Sequence, residues 1–328
     1  MSALRRVHLS VTPLESRDTP STMVFGGGSF IGKSGNVNLS VTFSGTNAIT
    51  WSTSPATTPA AFASGASTLA GNLSISLLGC GTSTAGTPGN VGNSISINLN
   101  GQTLTGNLAI TTGNCDDTVT VFGGTVGGLV TINTNGGDDA VSISGGGTSA
   151  SGPMTIGKDL KIAEGAGNDS IAFGGPSLKV GGNASINMGP GNNGYSLASL
   201  FTIGGNLQMQ AGAGNDPFNQ LGVAGSSIGG NATVLAGGGN NGLLLPAGLT
   251  IFGNTTYVGG TGSDGVIDGA VINGNLLCFL GAGNDRFIYA AAAPIVGGKA
   301  FISGGPVLSD IYIPLTAPSW PNTVIGFP

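Results

Sequence analysis

The chain has 328 residues, of which 63 are glycine and 39% hydrophobic, while only 7% are charged and the formal net charge is −5. Sparse charge with ample hydrophobicity excludes intrinsic disorder, which rests on the opposite balance. Nine Lys and Arg residues exclude a protein that tracks phosphates by basic clusters, so no nucleic-acid partner is expected, and glycines that do not recur every third residue exclude a collagen helix.

Residues 1–22 form a polar tail with basic residues but without the apolar core and small-residue cleavage site of a secretory signal. Within it, Leu14-Glu15-Ser16-Arg17-Asp18-Thr19-Pro20-Ser21 resembles the LExRxxPS-type signature at the N-termini of many planctomycete exported and cell-surface proteins. The resemblance implies export, hence an extracellular or cell-surface location. No segment is long and apolar enough to be a membrane helix: Leu243–Phe252, among the longest, contains Pro246 and Gly248.

Residues 23–105 hold strand-like pieces, Val37–Phe43 and Ile95–Leu99, and read as irregular coils or an N-terminal cap. Ser52–Thr68, rich in Ser, Thr, Pro and Ala, reads as a surface loop. Gly71-Asn72-Leu73-Ser74-Ile75 reads as the opening of a repeat that lacks its turn.

From 106 to 313 the chain repeats. A Gly-x-Gly-Asn-Asp-like turn recurs, with the last residue of each copy, here the index residue, at Asp117, Asp139, Asp169, Asn193, Asp216, Asn241, Asp264 and Asp285. The spacing is 21–25 residues except between Asp139 and Asp169, where an insertion around Gly145–Pro153 is expected. Seven positions before the index stand Ile110, Ile132, Ile162, Ile186, Met209, Val234, Tyr257 and Cys278; two after it stand Val119, Val141, Ile171, Tyr195, Phe218, Leu243, Val266 and Phe287. Alternation around the turns is the period of strands, and no helical stripe occurs. Such a repeat predicts an all-β fold, a right-handed parallel β-helix of about 21–25 residues per coil, with equivalent side chains stacked into ladders. A degenerate ninth coil begins at Gly298, with Ser309, Ile311 and Ile313 in register; residues 314–328, with four prolines, should close the end without continuing the ladder.

Eight of the fourteen acidic residues lie in these turns. The segments Gly165–Ile171, Gly212–Phe218 and Gly281–Phe287 resemble the calcium-binding repeats of RTX proteins, although they recur every 21–25 residues and not every nine. That resemblance implies calcium as the candidate cofactor, with Asp139, Asp169, Asp216, Asp264 and Asp285 as candidate ligands, since stacked carboxylates and glycine carbonyls suit it. The competing reading needs no metal: Asn168, Asn192, Asn215, Asn240 and Asn284 stack as an amide ladder, and Asp and Asn favour tight turns by themselves.

An enzyme of the polysaccharide lyase or hydrolase type needs clustered carboxylates or a base in a cleft. The sole such cluster is Asp264, Asp268, Asp285 and Arg286, with Asp268 expected to be exposed where its strand ends early. One histidine, His8, and no tryptophan strip (Trp51 and Trp320 lie far apart) argue against catalysis. Cys80, Cys115 and Cys278 allow at most one disulfide. The sequence therefore predicts a non-enzymatic structural or adhesive surface solenoid that self-associates end to end or along its edges. Surface polysaccharide is the other candidate partner. A carbohydrate-active β-helix and a calcium-binding RTX-like protein stand as alternatives.

Overall fold

Short runs of alternating β-branched residues between glycine corners can bury one face only by stacking on a neighbouring copy of themselves. The computed structural model shows that outcome. It describes residues 23–26, 28–32, 37–55, 64–82, 90–146, 152–290, 295–306, 310–313 and 322–325. The described residues contain strands and no helix, so none is long and apolar enough to cross a membrane. The strands build a parallel β-solenoid with three sheets of 13, 14 and 9 strands.

Inward columns on all three sheets fill the core. On the first sheet Ile110, Ile132, Ile162, Ile186, Met209, Val234, Tyr257, Cys278 and Ile302 stack in register. All of them are buried. The second sheet stacks Val119, Val141, Ile171 and Tyr195, and continues through Phe218, Leu243, Val266 and Phe287. The third sheet adds a column unread in the sequence, Leu104, Val126, Ile156, Val180, Ile203, Ile228, Ile251, Ile272 and Val296. Each fully buried aliphatic side chain contributes about 1.5–3 kcal/mol, so the several inward side chains of a coil make it depend on its neighbours.

The N-terminal end departs from the parallel rule. Leu73–Leu77 and Asn90–Asn98 lie in the stack. Val37–Gly45 pairs parallel with Asn90–Asn98 but antiparallel with Ala48–Pro55, which pairs antiparallel with Ser64–Thr68. Met23–Gly26 and Ser29–Gly32 form a hairpin on the first sheet. Part of the stretch expected to be a loop, Ser52–Thr68, is thus strand, with Ser64–Thr68 at the sheet's edge and 56–63 outside the described residues. Phe30 and Trp51 meet edge to face at 5.4 Å under this cap. Cys80 and Cys115 are disulfide-bonded, tying the cap side to the repeat, and Cys278 is a free buried thiol.

At the other end Asn322–Ile325 adds a parallel strand to Ala300–Ser303. Prolines were expected to stop the ladder there, but these four residues contain none. The insertion expected near Gly145–Pro153 has its tip, 147–151, outside the described residues, and its base is closed by Gly146 N–H donating to Gly152 O at 2.8 Å.

Candidate functional site

The index corner turns the chain from the first sheet to the second. The glycine two before the index has no room for a side chain: at Gly191 φ is +144° and an added Cβ would lie 1.5 Å from the Gly167 carbonyl oxygen. This tight turn folds the index side chain inward. The sequence suggested a column of acids along one edge; the structure buries it, with Asp117, Asp139, Asp169, Asn193, Asp216, Asn241, Asp264 and Asp285 all between 0% and 4% exposed.

Burial is made tolerable by one hydrogen bond per coil. The backbone N–H of each index residue donates to Oδ1 of the index residue in the next coil. Asp139 N–H meets Asp169 Oδ1 at 2.9 Å, Asp169 N–H meets Asn193 Oδ1 at 3.0 Å, and Asn193 N–H meets Asp216 Oδ1 at 2.9 Å. The ladder continues to Asp285, whose N–H donates to Asp310 Oδ1 at 2.8 Å. It begins at Asn93, whose N–H donates to Asp117 Oδ1. Asn93 was missed in the sequence because Val91 stands two before it, where most other corners carry glycine. The last coil was read one residue early: Asp310 takes the index position, Tyr312 and not Ile311 pairs with Phe287, and Ile311 is exposed.

The second terminal atom separates Asn from Asp. Asn193 Nδ2 donates to the Gly189 and Gly191 carbonyls at 3.1 and 3.2 Å, and Asn241 Nδ2 to those of Gly237 and Gly239 at 3.4 and 3.0 Å. In the acid coils the corresponding Oδ2 atoms of Asp169, Asp216 and Asp285 are buried with no partner, and Asp117 and Asp139 have the Thr112 and Thr134 hydroxyls beside their carboxyls. Asp264 differs, its Oδ2 accepting from Gly260 N–H at 3.1 Å. Burial is the largest cause of raised carboxyl pKa values along the column, with neighbouring acids adding to it at several positions. Asp139 is pushed up to about 7 and Asp169 and Asp264 to about 6. Glu164, five residues before its index, is also enclosed, both oxygens unpartnered and the carboxyl pushed up to about 9 by burial and then by Asp169 and Asp139.

A second ladder lies outside the first and runs the other way. Asn168 N–H donates to Asp138 Oδ1 at 2.7 Å, Asn192 N–H to Asn168 Oδ1 at 3.0 Å, and Asn215 and Asn240 continue it. The expected Asn stack is therefore real in position, but its bonds run mostly from backbone amide to side chain. A third ladder, unread in the sequence, sits where each coil opens: Asn206 N–H to Asn183 Oδ1, Asn231 N–H to Asn206 Oδ1 and Asn254 N–H to Asn231 Oδ1, each 2.8 Å. Its signal was available in the Gly-Asn pairs 182–183, 205–206, 230–231 and 253–254.

Asp268 corrects the sequence reading. It is 0% exposed, stacked between Leu245 and Tyr289. Its Oδ1 accepts from Ala270 N–H at 3.0 Å and its Oδ2 has no partner. The strand does end at Asp268, but its alternation had already fixed the side chain inward. Arg286 points out, so the proposed group of Asp264, Asp268, Asp285 and Arg286 does not meet in one cleft: three of its members are buried and the arginine is exposed. Among the described residues no three His, Cys, Asp or Glu side chains converge as a metal site. A surface groove of about 350 Å³ on the second sheet is lined by Leu244, Ile267 and Ile288 with Gly242 and Gly265 as its floor, beside Pro217 and Arg286; it has no aromatic or acidic lining. Comparisons with protein families, with curated proteins and with solved structures give no match to this chain.

Proposed function

We propose that the chain is a non-enzymatic structural or adhesive element of the cell surface or extracellular space, a solenoid that associates with copies of itself. The observation that carries this reading is the placement of its acids. Index carboxylates whose Oδ1 atoms accept the preceding coil's backbone N–H are framework, and their burial keeps them from working as acid and base on a substrate. Two further features support it. The Cys80–Cys115 disulfide suits an oxidising compartment outside the cytoplasm. A surface with few charges offers little repulsion between copies, and strand edges such as Ser64–Thr68 favour pairing.

Electron microscopy and sedimentation of the purified protein over a range of concentrations test the proposal. Filaments or side-by-side arrays that grow with concentration are expected. Single monomeric rods at every concentration would overturn self-association, and release of reducing ends from surface polysaccharides would overturn the non-enzymatic reading.

A further inference from the structure

The second sheet's inner column four residues after the index runs Val121, Ile143, Phe173 and Leu197, all buried, and later Leu245, Asp268 and Tyr289. Asp268 is the one carboxylate in this series, set two coils before the last strand of the sheet, Ile311–Ile313. No compensating charge reaches it. Tyr289 stands in the coil beyond, with its hydroxyl buried and unpartnered. The buried Cys278 thiol on the first sheet lies within electrostatic reach of Asp268, and also of Asp264 and Asp285. Tyr257 stacks on Cys278 with a second unpartnered hydroxyl. Leu245, Ala270 and the strand Val271–Ile272 bring no titratable group, and Arg286 lies on the outer face.

We propose that Asp268 is a pH-sensitive latch: as the neutral acid it closes the column and holds the terminal coils on the rod, and as the carboxylate it releases the strands from Gly265–Asp268 outward. An ionised group enclosed between Leu245 and Tyr289 has no solvation, so the coils beyond it open to give it water. In a solenoid the terminal coils contact neighbours on one side only, and a weak contact near the end frays them without unfolding the rest. Burial pushes the Asp268 carboxyl up to about 7, only partly opposed by the Ala270 hydrogen bond. The folded acid therefore binds its proton more tightly than the open one. Stability of these coils is greatest at acid pH, falls as pH rises above the ordinary carboxylate range, and levels off above about 7.

Hydrogen exchange of the intact protein at pH 5 and pH 9, corrected for the intrinsic pH dependence of amide exchange, tests this. Through Asp268 alone, protection of Gly265–Asp268, Arg286–Tyr289 and Ile311–Ile313 should fall about a hundredfold between the two values. Asp268→Asn keeps an acceptor for Ala270 N–H but cannot ionise, and Asp268→Leu restores the side chain of Leu197 and Leu245. Both variants should lose at least about tenfold of the fall in these strands, while Asp116–Phe122 follows the wild type. If both variants retain the wild-type fall, or if the wild-type terminal strands exchange alike at both pH values, Asp268 is a corner-forming residue only and the proposal is overturned.

Discussion

An asparagine and an aspartate differ at one terminal atom, and the index corner accepts both because Oδ1 does the same work in each. At the other atom the amide donates to two glycine carbonyls, whereas an ionised carboxylate places an unpartnered oxygen in the same buried region. A proton or a cation can satisfy such an oxygen. The proton needs no further ligands, and no set of three carboxylates converges among the described residues to supply them. Asp139→Asn should therefore raise stability at pH 8 by about 1–3 kcal/mol, the usual cost of a buried polar atom left unpaired, and the gain should vanish at pH 4, where Asp139 is neutral. Thermal melts of the two proteins at both pH values check this. Melts in millimolar calcium and in excess chelator should coincide. A melting temperature that climbs with calcium, and is lost in Asp139→Asn, would instead make Asp139 and Asp169 ligands.

At the scale of the coil, stability depends on how closely successive corners approach. Gly191→Ala puts a methyl group against the Gly167 carbonyl at a left-handed φ, and should cost at least about 2 kcal/mol through strain and displaced backbone. A melting temperature within a degree of wild type would contradict that packing. The disulfide closes a loop with a sequence separation of 35, so Cys115→Ser should lose about 2–4 kcal/mol, with faster exchange concentrated in Leu73–Leu77 and Asn90–Asn98. Ladders of this kind were legible where the period was strict: the columns through Ile186 and Val141 follow directly from alternation and spacing. The column through Ile156 and Ile228 stands thirteen residues before the index residue of each copy, so its spacing was available too; it was passed over because its strands are only two or three residues long and show almost no alternation. The site was less legible than the fold. A single spacing shows that Asp169 and Asn193 are equivalent, but whether a turn residue faces in or out depends on the corner's backbone. Asp268 misled for the opposite reason, since its chemistry argued for solvent while its register placed it in the core.

Among the described residues most acids lie inside and the bases outside. Nine of the fourteen acidic residues are buried, whereas Lys158, Lys161, Lys179, Arg286 and Lys299 are exposed. Eight of the buried acids, Asp117, Asp139, Glu164, Asp169, Asp216, Asp264, Asp268 and Asp285, hold their protons more tightly than ordinary carboxyls do. Each of these carboxyls that is neutral in the fold moves the formal charge up by one from −5. The folded rod is therefore far less acidic than its composition, whose isoelectric point is about 4.5. Unfolding exposes these carboxyls, restores ordinary values near 4 and releases protons near neutral pH. Isoelectric focusing in native gels and in urea reads the difference: the native band should lie above the denatured band by about one pH unit or more. Asp139→Asn and Glu164→Gln should move the denatured band upward while shifting the native band much less, because the native protein already keeps those two groups largely neutral at its own isoelectric point. Coincident native and denatured bands would mean that the interior acids are ionised in the fold, with a bound cation as the remaining way to satisfy their unpartnered oxygens.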